Sequence, residues 1–431
     1  MAALMTPGAS RGNGNDNDIE IRTVEESELG DWGKALNNGF MRGKGDGALS
    51  IRQSQFDPGR TLGAVHRGRF VGTFRSMDRE VTLPGGATLV ADAISGVTVS
   101  ATHRRRGLLT AMMTQDLAAA AERGSAIAIL IAAEYRIYGR FGFGPSTAKR
   151  SYSVDTLRAG NVRVPAEAEG GSLELLTMEE WRKVAPELHD RFRRTQPGAI
   201  NRRPADWLSR TGELTSPAEE WKEPLVALYR DPDDTPAGIL VYTVDDDWTN
   251  LIAKGTLKVY EHFAVDRAAS AALWRYALSV DWIDRVEIPE IAPDDPLPLL
   301  LDDPRACVDG GKSAADYMWL RVLDAPAAFS ARAYAAPGRV VLQVSDRLGY
   351  VDGRFVIEAA ADGTGRCTKA DPDEAADVAM DASVLGTLCL SSEPAARLHA
   401  AGQLTELRPG GVSRLGTLLH TDFRPWCPDD F

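Results

Sequence analysis

The sequence predicts a mixed α/β (α+β) protein of several domains, and three observations lead to this prediction. The 431 residues are enough for two to four domains. Residues 97–113 (VTVSATHRRRGLLTAMM) have the pattern of a strand end, a basic turn with a glycine, and an amphipathic helix. Residues 126–133 (AIAILIAA) form a continuous apolar run, which is typical of a strand buried on both faces.

The first part of the chain alternates strands and helices around these two stretches. Residues 1–17 are rich in Gly, Asn and Asp, and we predict that they are disordered. The order that follows is β-α-β-β-β-α-β. The predicted elements are a strand at 19–24, a helix at 26–40, strands at 61–65, 70–74, 79–83, 88–91 and up to 99, a helix at 107–123, and a strand at 126–133.

A second part repeats this plan without the basic turn. Apolar positions of residues 261–277 (EHFAVDRAASAALWRYA) agree with those of residues 97–113, but the three arginines and the glycine are absent. The agreement indicates a duplicated domain that has lost an anion site, although chance similarity of two α/β segments is an alternative. A third part begins at residue 325, with strands at 340–344 and 354–359.

Composition narrows the class of protein. The formal net charge of −12 argues against nucleic acid and anionic membrane as partners, and it suits a cationic substrate. Four cysteines show neither a C-x-x-C pair nor metal-ligand spacing, so we expect reduced thiols, a cytoplasmic location and no metal. The N-terminus has no signal-type apolar region, and residues 126–133 are too few to span a bilayer.

The basic turn at residues 104–109 reads R-x-x-G-x-L. Unpaired N–H groups at a helix N-terminus attract anions, and a glycine allows close approach of the backbone. The pattern resembles the acyl-CoA pyrophosphate loop of GCN5-related N-acetyltransferases, although Leu109 departs from the usual Gly or Ala. A solvated basic turn before an amphipathic helix is the alternative.

Further motifs resemble the Eis (enhanced intracellular survival) family of these acetyltransferases. They are YRIYGRFGFGP at 135–145, THRRRGLL at 102–109, segments at 295–301, 319–328 and 365–390, and the final Phe431. The resemblance implies two fused acetyltransferase-type domains and a sterol-carrier-protein-like domain. We place them at 18–165, which would bind acetyl-CoA, at 166–323, without a cofactor site, and at 324–431. It also implies a hexamer, a dimer of trimers.

The resemblance assigns roles to particular residues. Tyr138 would be the general acid and the carboxylate of Phe431 the general base. Two strand residues would pair with pantetheine, and five turn residues would hold the pyrophosphate. These seven residues are Val97 and Val99, then Arg104, Arg105, Gly107, Leu108 and Leu109.

General chemistry fits these assignments. A tyrosine of pKa about 10 shares a proton with a thiolate whose conjugate acid has a pKa of about 8.5, and Tyr135 is the nearest rival to Tyr138. Asp31 and Trp32 are predicted substrate contacts through an ion pair and stacking, and the resemblance places Asp430 near the pocket as a further contact. Residues 39–55, which should line the substrate cleft, do not align with the family pattern.

The expected function is acetyl transfer from acetyl-CoA directly to primary amines. For members of the resembled family these include several amines of aminoglycosides, which implies antibiotic resistance. Two alternatives remain open. One is non-enzymatic binding of a lipid or another apolar ligand by the C-terminal domain, and the other is acetylation of protein lysines.

Overall fold

The structure is a computed structural model that describes residues 18–42, 53, 56–215, 221–311, 315–371 and 373–431. The chain folds as two compact units. The described part of the first unit comprises residues 18–42, 53, 56–76 and 95–118. The remaining described residues form the second unit. Two strands and one helix, Arg69–Thr82, Thr88–Val99 and Leu108–Glu122, run along the chain from one unit into the other.

The first unit is built on an antiparallel ladder. Strand Ile19–Thr23 pairs with Thr61–His66, which pairs with the first half of Arg69–Thr82. Helix Leu29–Gly39, preceded by the 3-10 turn Glu26–Glu28, packs Leu29 and Trp32 against Val24 in a small core. The predicted strands at 70–74 and 79–83 are one strand. Its interior contains the buried polar residue Ser76, whose hydroxyl donates to Asp116 over 2.7 Å, and this polar position interrupts the apolar pattern in the sequence.

In the second unit, strand Ile127–Ile131 has a partner on each side. On one side it is parallel to Ala91–Ile94, and on the other it is antiparallel to Met318–Val322. The latter strand also pairs with the short strand Gly144–Pro145. The strand at 318–322 therefore completes a ladder begun almost two hundred residues earlier in the chain.

A larger sheet follows in the same unit. Strand Ala148–Asp155 belongs to this sheet, where it pairs with Ile283–Ile291. Strand Ala148–Asp155 lies before the predicted boundary at 165 but belongs to the larger sheet. Strand Met318–Val322 lies before the predicted boundary at 323 but pairs with Ile127–Ile131. The two boundaries stay predictions. The order of the sheet is Cys307–Asp309, Ala148–Asp155, Ile283–Ile291, Gly255–Ala264, Pro236–Asp245, Leu225–Arg230 and Ser172–Leu176, with Ala315–Asp316 also pairing with Ala148–Asp155.

The C-terminal part adds a five-stranded sheet and several helices. Its strand order is Gly365–Lys369, Gly353–Ala359, Gly338–Ser345, Val378–Asp381 and Leu404–Glu406. Helix Ala382–Cys389 lies directly on the backbone of strand Met318–Val322, because a side chain on Gly386 would stand 2.1 Å from the carbonyl oxygen of Leu320. This close approach joins the C-terminal sheet and strand Ile127–Ile131 into one hydrophobic core.

The remaining elements of the second unit are helices, 3-10 turns and a short hairpin. Local signals explain several of their starts: Thr177 and Glu180 form a capping box, and Asp324 accepts a hydrogen bond from the N–H of Ala327. These elements are Tyr135–Tyr138, Gly139–Phe141, Thr156–Ala159, Ala166–Ala168, Met178–Arg193, Pro204–Arg210, the hairpin Trp248–Thr249 with Ile252–Ala253, Arg267–Ser279, Leu297–Leu300, Pro304–Ala306, Ala325–Ser330, Ala382–Cys389, Ala395–Ala400 and Gly411–Leu418. Within the ranges described, no helix is long and apolar enough to cross a membrane.

Candidate active site

The strand that ends at Val99 changes direction at Gly96. Its parallel ladder with Ile127–Ile131 covers Ala91–Ile94, and Gly96 then adopts a left-handed backbone with φ of +62°. A side chain at Gly96 would lie 3.3 Å from the ring of Trp32, so this position is closely packed. Val97 and Val99 follow the bend, beyond the end of the parallel ladder. Their backbone groups are the edge that the family resemblance assigns to pantetheine.

The basic turn has the backbone of an anion-binding loop. Arg105 and Gly107 both have left-handed backbone conformations, with φ of +65° and +80°. Helix Leu108–Glu122 begins directly afterwards, and the N–H of Ala111 donates to the carbonyl of Gly107 over 2.9 Å. The N–H groups of the residues before Ala111 therefore precede the first intrahelical bond, and no acidic residue stands in the first turn of the helix.

Side chains around the turn are consistent with a solvent-facing anion site. Arg104 and Arg105 are exposed, whereas Leu108 is buried and Leu109 partly buried, so the apolar residues fix the helix. The Nε of Arg104 donates to the carbonyl of Val99 over 3.5 Å. A side chain at Gly107 would meet nothing within 4 Å, so the backbone here is open. The loop fits a diphosphate, which needs cationic side chains and free N–H groups.

A histidine pair borders the loop. His66 Nδ1 lies 2.9 Å from His103 Nε2, and His103 Nδ1 lies 2.8 Å from the hydroxyl of Thr102. No pattern in the sequence indicated that His66 is the partner of His103. The pair fixes the residue directly before the arginines to the hairpin at Thr61–His66. The 37 residues that separate the two histidines concealed this contact.

Tyr138 ends the short helix Tyr135–Tyr138 and is buried, with 6% of its surface exposed. Its ring contacts Phe143 edge to face, with the ring centroids 6.4 Å apart. Burial raises the pKa of Tyr138, and the nearby Glu134 raises this pKa further. The phenol is therefore neutral at physiological pH and holds a proton that it can donate. The rival Tyr135 is 60% exposed and packs edge to face on Trp319.

Residues 317–319 contact both the last residues of the chain and the helix Tyr135–Tyr138. The Tyr317 hydroxyl donates a hydrogen bond to the Asp430 carboxylate, and Tyr317 stands two residues before Trp319 in an extended stretch. Phe431 is partly buried against the large hydrophobic core. Residues 317–319 thus contact both the helix that carries Tyr138 and the tail that carries Phe431. Tyr317 was not among the predicted site residues.

The predicted substrate contacts lie in different environments. Asp31 is exposed and forms an ion pair of 2.9 Å with Lys34. Trp32 is only 1% exposed, and its indole N–H donates to the carbonyl of Leu62 over 2.9 Å, so its ring is part of the small core. Most of residues 39–55 lie outside the described residues, so this part of the cleft stays a prediction.

Comparison with known proteins defines the class. The pattern of the acetyltransferase (GNAT) domain matches residues 20–146, and a second pattern of the same description matches residues 198–322. The sterol carrier protein domain matches residues 325–428. Two acetyltransferase domains of the GCN5-related type therefore precede a sterol-carrier-like domain, as predicted, and N-acetyltransferases of this type use acetyl-CoA.

Relatives of full length narrow the class to a family. The chain is 44% identical over 418 residues to an uncharacterised N-acetyltransferase of Streptomyces avermitilis, covering 96% of this chain and 99% of the relative. It is 35% identical over 385 residues to the N-acetyltransferase Eis of Mycobacterium tuberculosis, covering 88% and 87%. The crystal structure of Eis1 from Mycobacterium abscessus superposes with a TM-score of 0.81 at 30% identity, covering 96% and 100%. The chain belongs to the Eis family of N-acetyltransferases, which confirms the predicted family.

Proposed function

We propose that this N-acetyltransferase transfers the acetyl group of acetyl-CoA directly to primary amines, including several amines of aminoglycosides. The observation that carries the proposal is the turn at 104–109, where left-handed Arg105 and Gly107 precede a helix with no acidic residue in its first turn. The resemblance to Eis supports the choice of acceptor. The net charge of −12 also suits an acceptor that carries several ammonium groups.

Acetyl transfer forms a bond between the amine nitrogen and the acetyl carbon, and it breaks the bond between that carbon and the sulfur of CoA. In this proposal, three groups of the chain assist the transfer. A backbone N–H near Val99 polarises the thioester carbonyl. Tyr138 shares its proton with the departing thiolate, and the carboxylate of Phe431 accepts the proton that the amine loses. The raised pKa of Tyr138 keeps this donor protonated throughout the physiological range.

Assembly and location belong to the same proposal. We expect a hexamer, a dimer of trimers, in the cytoplasm. Large apolar side chains are exposed on and near the hairpin Trp248–Thr249 with Ile252–Ala253, where Leu251 is 94% and Trp282 72% exposed. Such a cluster favours contact with further copies of the chain. All four cysteines are free thiols, which is typical of a reducing compartment.

The lipid-binding alternative rests on the match of residues 325–428 to the sterol carrier protein domain. A cavity of about 510 Å³ lies beside Gly139 and Arg140, against the C-terminal sheet. Its lining includes Asp346, Asp352 and Asp381, so it suits a polar ligand better than an acyl chain or a sterol.

Steady-state kinetics of three variants test the proposed roles, with one aminoglycoside and one lysine-containing peptide as acceptors. Tyr138→Phe and deletion of Phe431 are each expected to reduce kcat by roughly 10²–10⁴-fold, because the first removes the proton donor and the second displaces the terminal carboxylate by up to roughly 3.5 Å along the chain. Tyr135→Phe is the matched control and should retain kcat. Activity on the peptide alone would favour the lysine acetyltransferase, and wild-type kcat in both variants would contradict the assigned roles.

A further inference from the structure

The last residues of the chain lie across the second acetyltransferase-type region. The backbone N–H of Arg424 donates to Asp294 over 2.7 Å, and the N–H of Trp426 donates to the carbonyl of Pro197 over 2.9 Å. The Trp426 ring is buried in a cluster with Phe192 and Phe263. Phe263 lies on strand Gly255–Ala264, and Asp294 comes shortly after strand Ile283–Ile291. The tail therefore contacts one of these neighbouring strands and the segment that follows the other.

Asp429 anchors this tail in a buried network of charges. Its Oδ1 accepts hydrogen bonds from Arg202 Nε at 2.8 Å and from Arg210 Nη2 at 2.7 Å. Both arginines also donate to Glu261, Arg202 over 2.9 Å. The side chains of Asp429 and Arg202 are 3% exposed, and that of Glu261 is 8% exposed. Two cations and two anions therefore balance, and the second carboxylate oxygen of Asp429 faces His189 at 3.3 Å.

The electrostatics hold the network in its charged form. Burial alone would raise the pKa of Asp429, but the charges of Arg202 and Arg210 and the contact with His189 outweigh it and keep this pKa well below its usual range. Burial likewise acts to raise the pKa of Glu261, and the same two arginines lower it. Burial, assisted by the charge of Arg202, lowers the pKa of His189, so its ring is neutral at pH 7.

One residue of the network, Glu261, lies at a position that corresponds to a predicted cofactor contact of the first region. In the comparison of residues 97–113 with 261–277, Glu261 aligns with Val97, the strand residue assigned to pantetheine in the first region. The parallel ladder of the second region covers Gly255–Lys258 and ends before Glu261, as the first ladder ends before Val97. The strand end that serves the cofactor in one region thus carries, in the other, the carboxylate to which the tail is tied.

We propose that Arg202, Arg210 and Glu261 are positioning residues, which clamp Asp429 and thereby fix the Phe431 carboxylate beside residues 317–319. The inference rests on the proposed function, because it assigns importance to the place of that carboxylate. Asp430 alone is a weak anchor, since it is exposed and holds Tyr317 by one hydrogen bond. The double clamp on Asp429, two residues before Phe431, restricts the tail far more strongly.

The test compares Asp429→Asn with Asp377→Asn in the full-length protein. Asp377 is a matched control, because it is also buried, accepts from Arg414 over 2.6 Å and from the N–H of Val341 over 2.8 Å, but belongs to the C-terminal sheet region. Carboxypeptidase A, which prefers a C-terminal aromatic residue, reports how firmly the tail is held. Release of Phe431 is followed by mass spectrometry, well below the melting temperature of each variant, and kcat and KM are measured in parallel.

We expect Asp429→Asn to release Phe431 at least tenfold faster than the wild type and to lower kcat at least tenfold, with little change in KM for acetyl-CoA. Asp377→Asn should match the wild type in both. If Asp429→Asn does not fold, Arg210→Lys, which keeps the charge but not the two-armed contact, should show smaller changes in the same directions. Faster release without loss of kcat, or loss of kcat without faster release, would overturn the inference. Full kcat after deletion of Phe431 would instead refute the proposed base.

Discussion

The two acetyltransferase-type regions differ most where a strand leads into a helix. In the first, helix Leu108–Glu122 follows the left-handed Gly107 and has no acidic residue in its first turn. In the second, helix Arg267–Ser279 is capped by Asp266, whose carboxylate accepts from the N–H of Ala269 over 2.8 Å. A capping carboxylate satisfies the N–H groups that a phosphate would need, and it repels the phosphate. On this basis the helix N-terminus of the first region suits a phosphate better than that of the second.

The largest expected effect concerns acetyl-CoA binding. Arg104→Ala with Arg105→Ala should weaken binding by at least about 100-fold, because charge-assisted hydrogen bonds to phosphate are each worth about 1.5–3 kcal/mol. Isothermal titration calorimetry should give one acetyl-CoA per wild-type chain. Arg267→Ala, at the helix of the second region, is the matched control and should not change affinity. A stoichiometry of two would contradict the loss of the second site.

A second difference is the exposed apolar hairpin of the second region, which we propose as a contact between copies of the chain. Leu251→Asp should shift the protein to smaller species in multi-angle light scattering, because burial of a leucine contributes about 1.5–3 kcal/mol per contact and a buried carboxylate opposes contact. Leu157→Asp changes a similarly exposed leucine elsewhere, at 86% exposure, and should leave the mass unaltered. A fully active wild-type monomer would argue against the hexamer.

The smallest expected effect is a pH dependence of stability in the second region. His262 stacks on Trp274 with ring centroids 4.1 Å apart, and burial lowers the pKa of His262 to about 4, against opposing hydrogen bonds. A histidine with a lowered pKa in the folded state favours folding above pH 6.5, and this contribution is lost as the pH falls toward 4. We expect a loss of about 1–3 kcal/mol from this group.

The measurement is urea unfolding of the wild type and His262→Phe between pH 7 and pH 4. The variant should lose less of its free energy of unfolding over this range, since it has no group to protonate. His420→Phe replaces an exposed histidine and should follow the wild type. If the free energy of unfolding falls equally with pH in all three proteins, protonation of His262 does not cause the loss of stability in acid.

Sequence patterns predicted most helices and strands and the turn between them, because periodicity and turn residues act over a few neighbours. The strand at 97–99, the arginine turn and the helix after it are of this kind. Polar residues with distant partners were concealed. Asp429 meets Arg202 across 227 residues and Ser76 meets Asp116 across 40, so neither contact leaves a local pattern. Asp429 was not among the predicted site residues.

Strand Met318–Val322, which completes the ladder of Ile127–Ile131, also bears on how the protein is made. During synthesis the apolar strand at 127–131 emerges about 190 residues before its second partner, a delay of roughly 10–40 s at 5–20 residues per second. Until then one edge of an apolar strand is unpaired, and such an edge invites association with other nascent chains. The exchanged strand therefore makes the ribosome-bound chain a natural client for chaperones, and it makes the first domain unsuited to expression as a fragment that ends at residue 165.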